Sequence, residues 1–127
     1  MASFSKSSLF KLNNPKLHPK MRELMLEAIK ETPVDFMIIE TVRTIEKQKM
    51  YLQKGVSKTM KSRHIPSFNK SGLGEAVDIA PYPICWTNIE RFKMLSAHIK
   101  KVAKRLDISI TWGGDWGWDY PHYELKR

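Results

Sequence analysis

The sequence holds a single cysteine, Cys85, among 127 residues, so no internal disulfide is possible. Cys85 lies between Ile84 and Trp86 with no base nearby, which predicts a buried, inert thiol rather than a catalytic nucleophile. No apolar run is long enough to span a bilayer. The start, Met1 to Lys6, lacks the apolar core of a secretory signal. Both absences predict a chain that is made and kept in the cytoplasm unless something else releases it. Acidic residues are scarce, 13 against 22 basic ones, for a net charge of +9. That balance favours a polyanionic partner: nucleic acid, an anionic membrane surface or an anionic cell-wall polymer. There is no arginine-rich block, however, and a solvated basic surface accounts for the charge equally well. With no internal repeat and no linker, residues 1–127 read as one domain, and 42% hydrophobic content suffices for one modest core.

Periodicity supplies the elements. Residues 1–14 are polar apart from Phe4, Leu9, Phe10 and Leu12 and read as a surface lead-in. From Pro15 to Thr32, apolar residues at Leu17, Met21, Leu24, Met25, Ala28 and Ile29 recur at helical spacing. The methionines there read as core filler and His18 as a surface residue. Phe36 to Ile39 suits a buried strand, and Ile45 to Lys54 a helix stopped by Gly55. Residues 56–74 read as loop. Ala76 to Ala80 is a strand with the ionisable Asp78 at its middle. Thr87-Asn88-Ile89-Glu90 has capping-box spacing, with Thr87 as N-cap of a long helix to Leu106. That helix buries Ile89, Phe92, Leu95, Ile99, Val102, Ala103 and Leu106, and His98 falls off its central stripe as a structural residue. Ile108 to Trp112 alternates as a strand, Gly113-Gly114 breaks it, and His122 to Leu125 closes the chain as another. The expected fold is α+β, about three helices on a small, mostly antiparallel sheet.

Chemistry concentrates at the end of the chain. In residues 112–125, Asp119 and His122 stand three apart among tryptophans and glycines. Upstream, His64 follows Ser62-Arg63, and Asp78 sits between Val77 and Ile79, where an unpaired charge is costly to bury and a cation is a natural partner. Two histidines and one carboxylate with an open fourth position form a catalytic rather than a closed zinc pattern, and Asp119 stays free to handle protons. Arg43 sits where a strand hands over to a helix. An ordinary surface ion pair is as good a reading of it from sequence physics alone.

Taken in order, these residues resemble the zinc D,D-peptidase group, which shares the Hedgehog/D,D-peptidase fold, and more closely its phage branch, the L-alanyl-D-glutamate endopeptidase endolysins. The resemblance rests on Val42-Arg43-Thr44 with Gln48, Ser62-Arg63-His64, Gly74-Glu75-Ala76-Val77-Asp78, Trp112 to Trp116, and Asp119 to Leu125. Thirteen residues separate His64 from Asp78, more than in the family pattern, so residues 66–72 read as an insertion. Closing a loop longer by a few residues costs only about 1 kcal/mol, so the ligand set is expected to survive it.

The resemblance implies a zinc peptidase acting on the peptidoglycan stem peptide. His64, Asp78 and His122 would hold Zn²⁺, and Asp119 would act as general base and acid. Arg43 would stabilise the oxyanion or dock a substrate carboxylate. Ser62, Gln48 and Trp116 would contact substrate, and Glu124 would orient a ligand, contact substrate or lie idle on the surface. The chain would act as a monomer, bind no nucleic acid, insert in no membrane and reach the wall through a separate pore-former. It stops two residues after the closing strand, leaving little material for a lid, which favours an open groove and cleavage between L-Ala and D-Glu. Removal of terminal D-Ala, a basic nucleic-acid-binding module and a catalytically dead zinc module are the competing readings.

Overall fold

In the computed structural model, which describes residues 2–55 and 62–126, four strands form one antiparallel sheet. They are β1 (Phe36–Glu40), β2 (Ala76–Pro81), β3 (Ile110–Trp112) and β4 (His122–Leu125), in the order β1-β2-β4-β3. The helices are α1 (Lys6–Leu12), α2 (Pro19–Ala28), α3 (Ile45–Gln53) and α4 (Ile89–Arg105). This is the α+β arrangement expected, with one helix more.

Strand alternation sorts the sheet into two chemistries. Val77, Ile79, Tyr123 and Leu125 enter the core, where they meet Met21, Leu24 and Met25 of α2 and Leu95, Ile99 and Val102 of α4. Each large apolar side chain buried in this way contributes about 1.5–3 kcal/mol. Their strand neighbours Asp78, His122 and Glu124 therefore face the other side. Register then fixes who meets whom, since Asp78 lies opposite His122 and Ala76 opposite Glu124. The register between β1 and β2 shifts between Ile38 and Glu40, which places Glu40 opposite Asp78. That irregularity turns Glu40 onto the polar face; strict alternation after Phe36 and Ile38 would have sent it to the core.

Four expectations need correction. The lead-in contains α1, started by the Ser5 side chain accepting from Ser8 N–H. This short helix covers the outer edge of β1: Ser8 Oγ accepts from Ile38 N–H at 3.0 Å, and Thr41 donates to the Lys11 carbonyl at 2.9 Å. An edge strand needs such a cover, because its unpaired backbone groups otherwise face solvent. The second helix starts at Pro19, with His18 as its N-cap through Nδ1. Leu17, one residue before, bridges Gly74 instead. The N-cap of α4 is Asn88, accepting from Arg91 N–H, rather than Thr87. Cys85 is exposed, since its apolar neighbours Ile84 and Trp86 are themselves exposed and local hydrophobicity did not amount to burial.

Other expectations hold. The stripe from Leu17 to Ile29 is buried throughout; in the stripe of α4, Phe92, Leu95, Ile99, Val102 and Ala103 are buried, while Ile89 and Leu106 near its ends are half-buried. Gly55 follows α3 with φ 73°, and His98 Nε2 bonds to the Ala28 carbonyl at 2.7 Å. Residues 69–74 are irregular, as expected, while 66–68 form a short 3-10 turn. The part of the expected loop at 56–61 lies outside the described residues.

Candidate active site

Three elements deliver the expected metal ligands to one point. His64 comes from the loop before the insertion, Asp78 from the middle of β2 and His122 from the first residue of β4. Nε2 of His64 lies 3.2 Å from Asp78 Oδ1, and Nδ1 of His122 lies 3.1 Å from the same oxygen. The three donor atoms all fall within 4.8 Å of one another.

The far side of each imidazole is anchored. His64 Nδ1 lies 2.6 Å from the Thr41 carbonyl, a pure acceptor, so Nδ1 carries a proton and Nε2 is the nitrogen turned to the cluster. His122 Nε2 lies 2.8 Å from Glu124 Oε1, which fixes the opposite tautomer and turns Nδ1 inward. Rings anchored at their outer nitrogens, with both inner nitrogens turned to Asp78, are what a cation requires of histidine ligands once any inner proton has left. The donor set of two imidazoles and one carboxylate therefore fits a metal ion.

The electrostatics agree with that purpose. Burial works to raise the pKa of Asp78, but the charges and hydrogen bonds of His64 and His122 outweigh it and hold the carboxyl well below its usual range. Burial works to lower that of His122, but the hydrogen bonds it donates to Asp78 and Glu124 push it up to about 9. Burial raises the carboxyl of Asp119, with the charge of Asp78 adding to it and His122, His64 and Arg43 opposing. The two aspartates are thus pushed in opposite directions, Asp78 below and Asp119 above the usual carboxylate value.

Asp119 reaches this position through a tight turn. Its N–H donates to the Gly113 carbonyl, and its own carbonyl accepts from His122 N–H, both at 3.2 Å. A Cβ on Gly113 would stand 2.3 Å from the Asp119 carbonyl oxygen and 3.1 Å from His122 Cβ. Gly113 is therefore a steric necessity at the crossing of β3 and β4. The Trp116 ring lies 5.5 Å from that of His122, and the largely exposed Trp118 lies 6.0 Å from Trp116. Together they make an aromatic wall on one side of the cluster.

Arg43 closes the other side. It donates to Glu40 from both Nε and Nη2, to Gln48 Oε1 at 2.7 Å and to Ser62 Oγ at 3.4 Å, with its guanidinium 4.8 Å from the Tyr51 ring centre. This is far from an ordinary surface ion pair. Gln48, expected at the substrate, is fully buried and holds Arg43. Ser62 Oγ also accepts from His64 N–H at 3.2 Å. Sequence reasoning missed Glu40 altogether. It left Glu124 open among three roles, and the structure places its Oε1 2.8 Å from His122 Nε2.

The insertion does not disturb the cluster. Asn69 is buried, and its amide donates to the carbonyls of Arg63 and Leu73, at 2.9 and 2.7 Å. It thereby ties the two ends of the inserted segment together.

A histidine–aspartate–histidine cluster that could hold a metal ion, beside a separate carboxylate, on a four-stranded antiparallel sheet, is the arrangement of a metal-dependent hydrolase. The family of phage L-alanyl-D-glutamate peptidases matches residues 1–126, and the chain belongs to it. Among its relatives is the L-alanyl-D-glutamate peptidase of Escherichia phage T5, 32% identical over 114 residues, which are 86% of this chain and 80% of that protein. The L-alanyl-D-glutamate peptidase of Listeria phage A118 is 28% identical over 104 residues, covering 80% of this chain but only 34% of that longer protein. The fold is that of the Serratia marcescens L-Ala D-Glu endopeptidase ChiX, with a TM-score of 0.82 at 24% identity over 98% of this chain and 91% of that one.

Proposed function

We propose that this chain is a zinc endopeptidase that hydrolyses the L-alanyl-D-glutamate bond of the peptidoglycan stem peptide, acting as one catalytic domain. The observation that carries the proposal is the convergence of His64 Nε2 and His122 Nδ1 on Asp78 Oδ1, with both outer ring nitrogens already engaged. Nitrogen and carboxylate donors in a set of three, leaving a position open, suit zinc at a catalytic site. A zinc ion held there would supply a Lewis acid that polarises the scissile carbonyl and makes water acidic.

The chain's own residues do the rest. Asp119, with its raised pKa, takes a proton from the attacking water and delivers it to the leaving amine of D-Glu. Arg43, held in place by Glu40 and Gln48, turns its remaining donor capacity toward the oxyanion or a substrate carboxylate. Trp116 forms a wall against which the stem peptide lies, and Ser62 holds the loop that carries His64. The net charge of +9 suits an anionic wall polymer. Among the described residues, no helix is long and apolar enough to cross a membrane. The proposed route to the wall is a separate pore-former, and the proposed working state is the monomer.

Digestion of purified murein tests the reading. The expected product carries a new N-terminal D-Glu, seen by mass spectrometry, and its release stops when a chelator is added and resumes with zinc. Free D-Ala as the main product would replace the endopeptidase reading with that of a carboxypeptidase.

A further inference from the structure

The residue between Ser62 and His64 has no part in the reaction just described, yet its side chain is tied to the site from behind. Arg63 is largely buried. Its Nη1 donates to Glu124 Oε2 at 3.0 Å, and its Nη2 to Glu75 Oε1 at 2.5 Å and to the Leu125 carbonyl at 2.7 Å. The other oxygen of Glu124 accepts from His122 Nε2 at 2.8 Å. One carboxylate thus stands between a fixed guanidinium and a ligand imidazole, with one oxygen for each.

From this geometry we infer that Arg63 is a positioning residue for the metal centre, acting through Glu124 on His122. A glutamate side chain alone has three rotatable bonds, and one hydrogen bond to His122 leaves its plane free to turn. The guanidinium donates from two directions, to Glu124 and to the backbone of Leu125 on the same strand, and so fixes that plane relative to β4. The imidazole is then held with Nδ1 toward Asp78. A lysine, with one compact ammonium, cannot reproduce this fork. Arg63 also has a second, separate duty. Glu75, its other partner, also bonds Ser71 at 2.7 Å and belongs to the loop leading into β2. The two carboxylates divide the guanidinium between a positioning role and a structural one, which makes the roles separable by experiment.

The inference rests on the proposed zinc site, and the test keeps the two apart. Zinc alone is titrated against a chromophoric chelator with the wild type, Arg63→Lys, Arg63→Met, Glu124→Gln, Glu75→Gln, and the double variants of Arg63 with Glu124. Outer partners of a metal-bound histidine are worth about 10- to 100-fold in affinity. Glu124→Gln should fall in that range, Arg63→Met should weaken binding at least about tenfold, and Arg63→Lys should restore little. The double variant should be no weaker than the worse single one, because both act on the same ring. Glu75→Gln should lower the melting temperature and leave zinc affinity within about twofold, well short of an outer-partner effect. Should Arg63→Met not fold, the cycle is run with Arg63→Lys. Unchanged affinity in a folded Arg63 variant, or losses that add with those of Glu124→Gln, overturns the inference. A wild type that binds no zinc overturns the site itself.

Discussion

The carbonyl oxygen of Thr41 lies 2.6 Å from Nδ1 of His64, so a backbone group at the end of β1 decides which nitrogen this imidazole presents to Asp78. Because a main-chain carbonyl cannot be mutated away, His64 is the proposed ligand whose tautomer is least open to change. Replacing His64, Asp78 or His122 by Ala should each remove stoichiometric zinc and abolish murein lysis. Metal analysis and turbidity assays on the purified variants check this. A single tightly held zinc surviving in any of them would mean a ligand had been misassigned.

Asp119→Asn keeps the size of the side chain and removes its basicity. The variant should fold, bind zinc as the wild type does, and lose about two to four orders of magnitude in rate, the usual worth of general acid–base catalysis. Steady-state kinetics on a soluble stem-peptide substrate would show it. A rate close to wild type would move proton handling to another group.

Arg43→Lys tests whether a fork of donors is required. A single ammonium cannot serve Glu40, Gln48 and Ser62 together. Loss of one well-placed donor to a developing oxyanion costs about 10²–10³ in rate, so even a partly retained cation should leave the rate at least about tenfold lower. Zinc content should stay at wild-type level, since the hydrogen bond that joins Arg43 to a proposed ligand residue, from its N–H to the His64 carbonyl at 2.9 Å, is made by the backbone and survives the substitution.

Gly113→Ala should be among the most damaging single-methyl changes in the chain. The added carbon would meet the Asp119 carbonyl oxygen at 2.3 Å and Asp119 Cβ at 2.8 Å. Relief requires the turn carrying both Asp119 and His122 to move. Overpacking of this kind costs about 1–3 kcal/mol, and the displaced turn should reduce activity beyond what the fall in melting temperature accounts for.

The metal-free chain should show a pH dependence opposite to that of zinc binding. His122 has its pKa raised from 6.5 to about 9. Its protonated form therefore stabilises the fold fully below pH 6.5, and that contribution is lost as pH rises through about 9. Zinc needs the same ring without its inner proton, so zinc affinity should climb across the same window. Asp78 adds the complementary acid limb: its lowered pKa stabilises the fold above the ordinary value of 3.8 and fails as pH drops through the depressed one. Thermal melts of chelator-treated protein, with and without added zinc, measure both trends. A flat melting temperature between pH 6.5 and 9 in the metal-free wild type would contradict the coupling of His122 to its two carboxylates.

What could be read from the sequence followed from residue type and order. A charged Asp78 between Val77 and Ile79 had to find a partner, and the period of two in His122-Tyr123-Glu124-Leu125 separated polar from apolar sides before any pairing was known. The missed residues depend on pairing. Glu40 reaches the site through a shift in register between β1 and β2, which neither strand shows alone. Arg63 meets partners from 12 to 62 positions away, and nothing local distinguishes it from the lysines before it. Helix α1 was overlooked because seven residues carry too short a stripe to stand out; two buried residues, Ser8 and Leu12, anchor it.

Asn69 has a consequence for how far this chain can vary. With its amide gripping the carbonyls of Arg63 and Leu73, the stretch between His64 and Asp78 is closed at its neck, and what lies beyond the neck carries no burden of ligand geometry. Exposed Lys70, Ser71 and Gly72 sit at the tip of such a closed loop. A tag, an epitope or a wall-targeting peptide spliced there would hang outside the catalytic frame, whereas the same insertion on the other side of Asn69 would pull directly on His64.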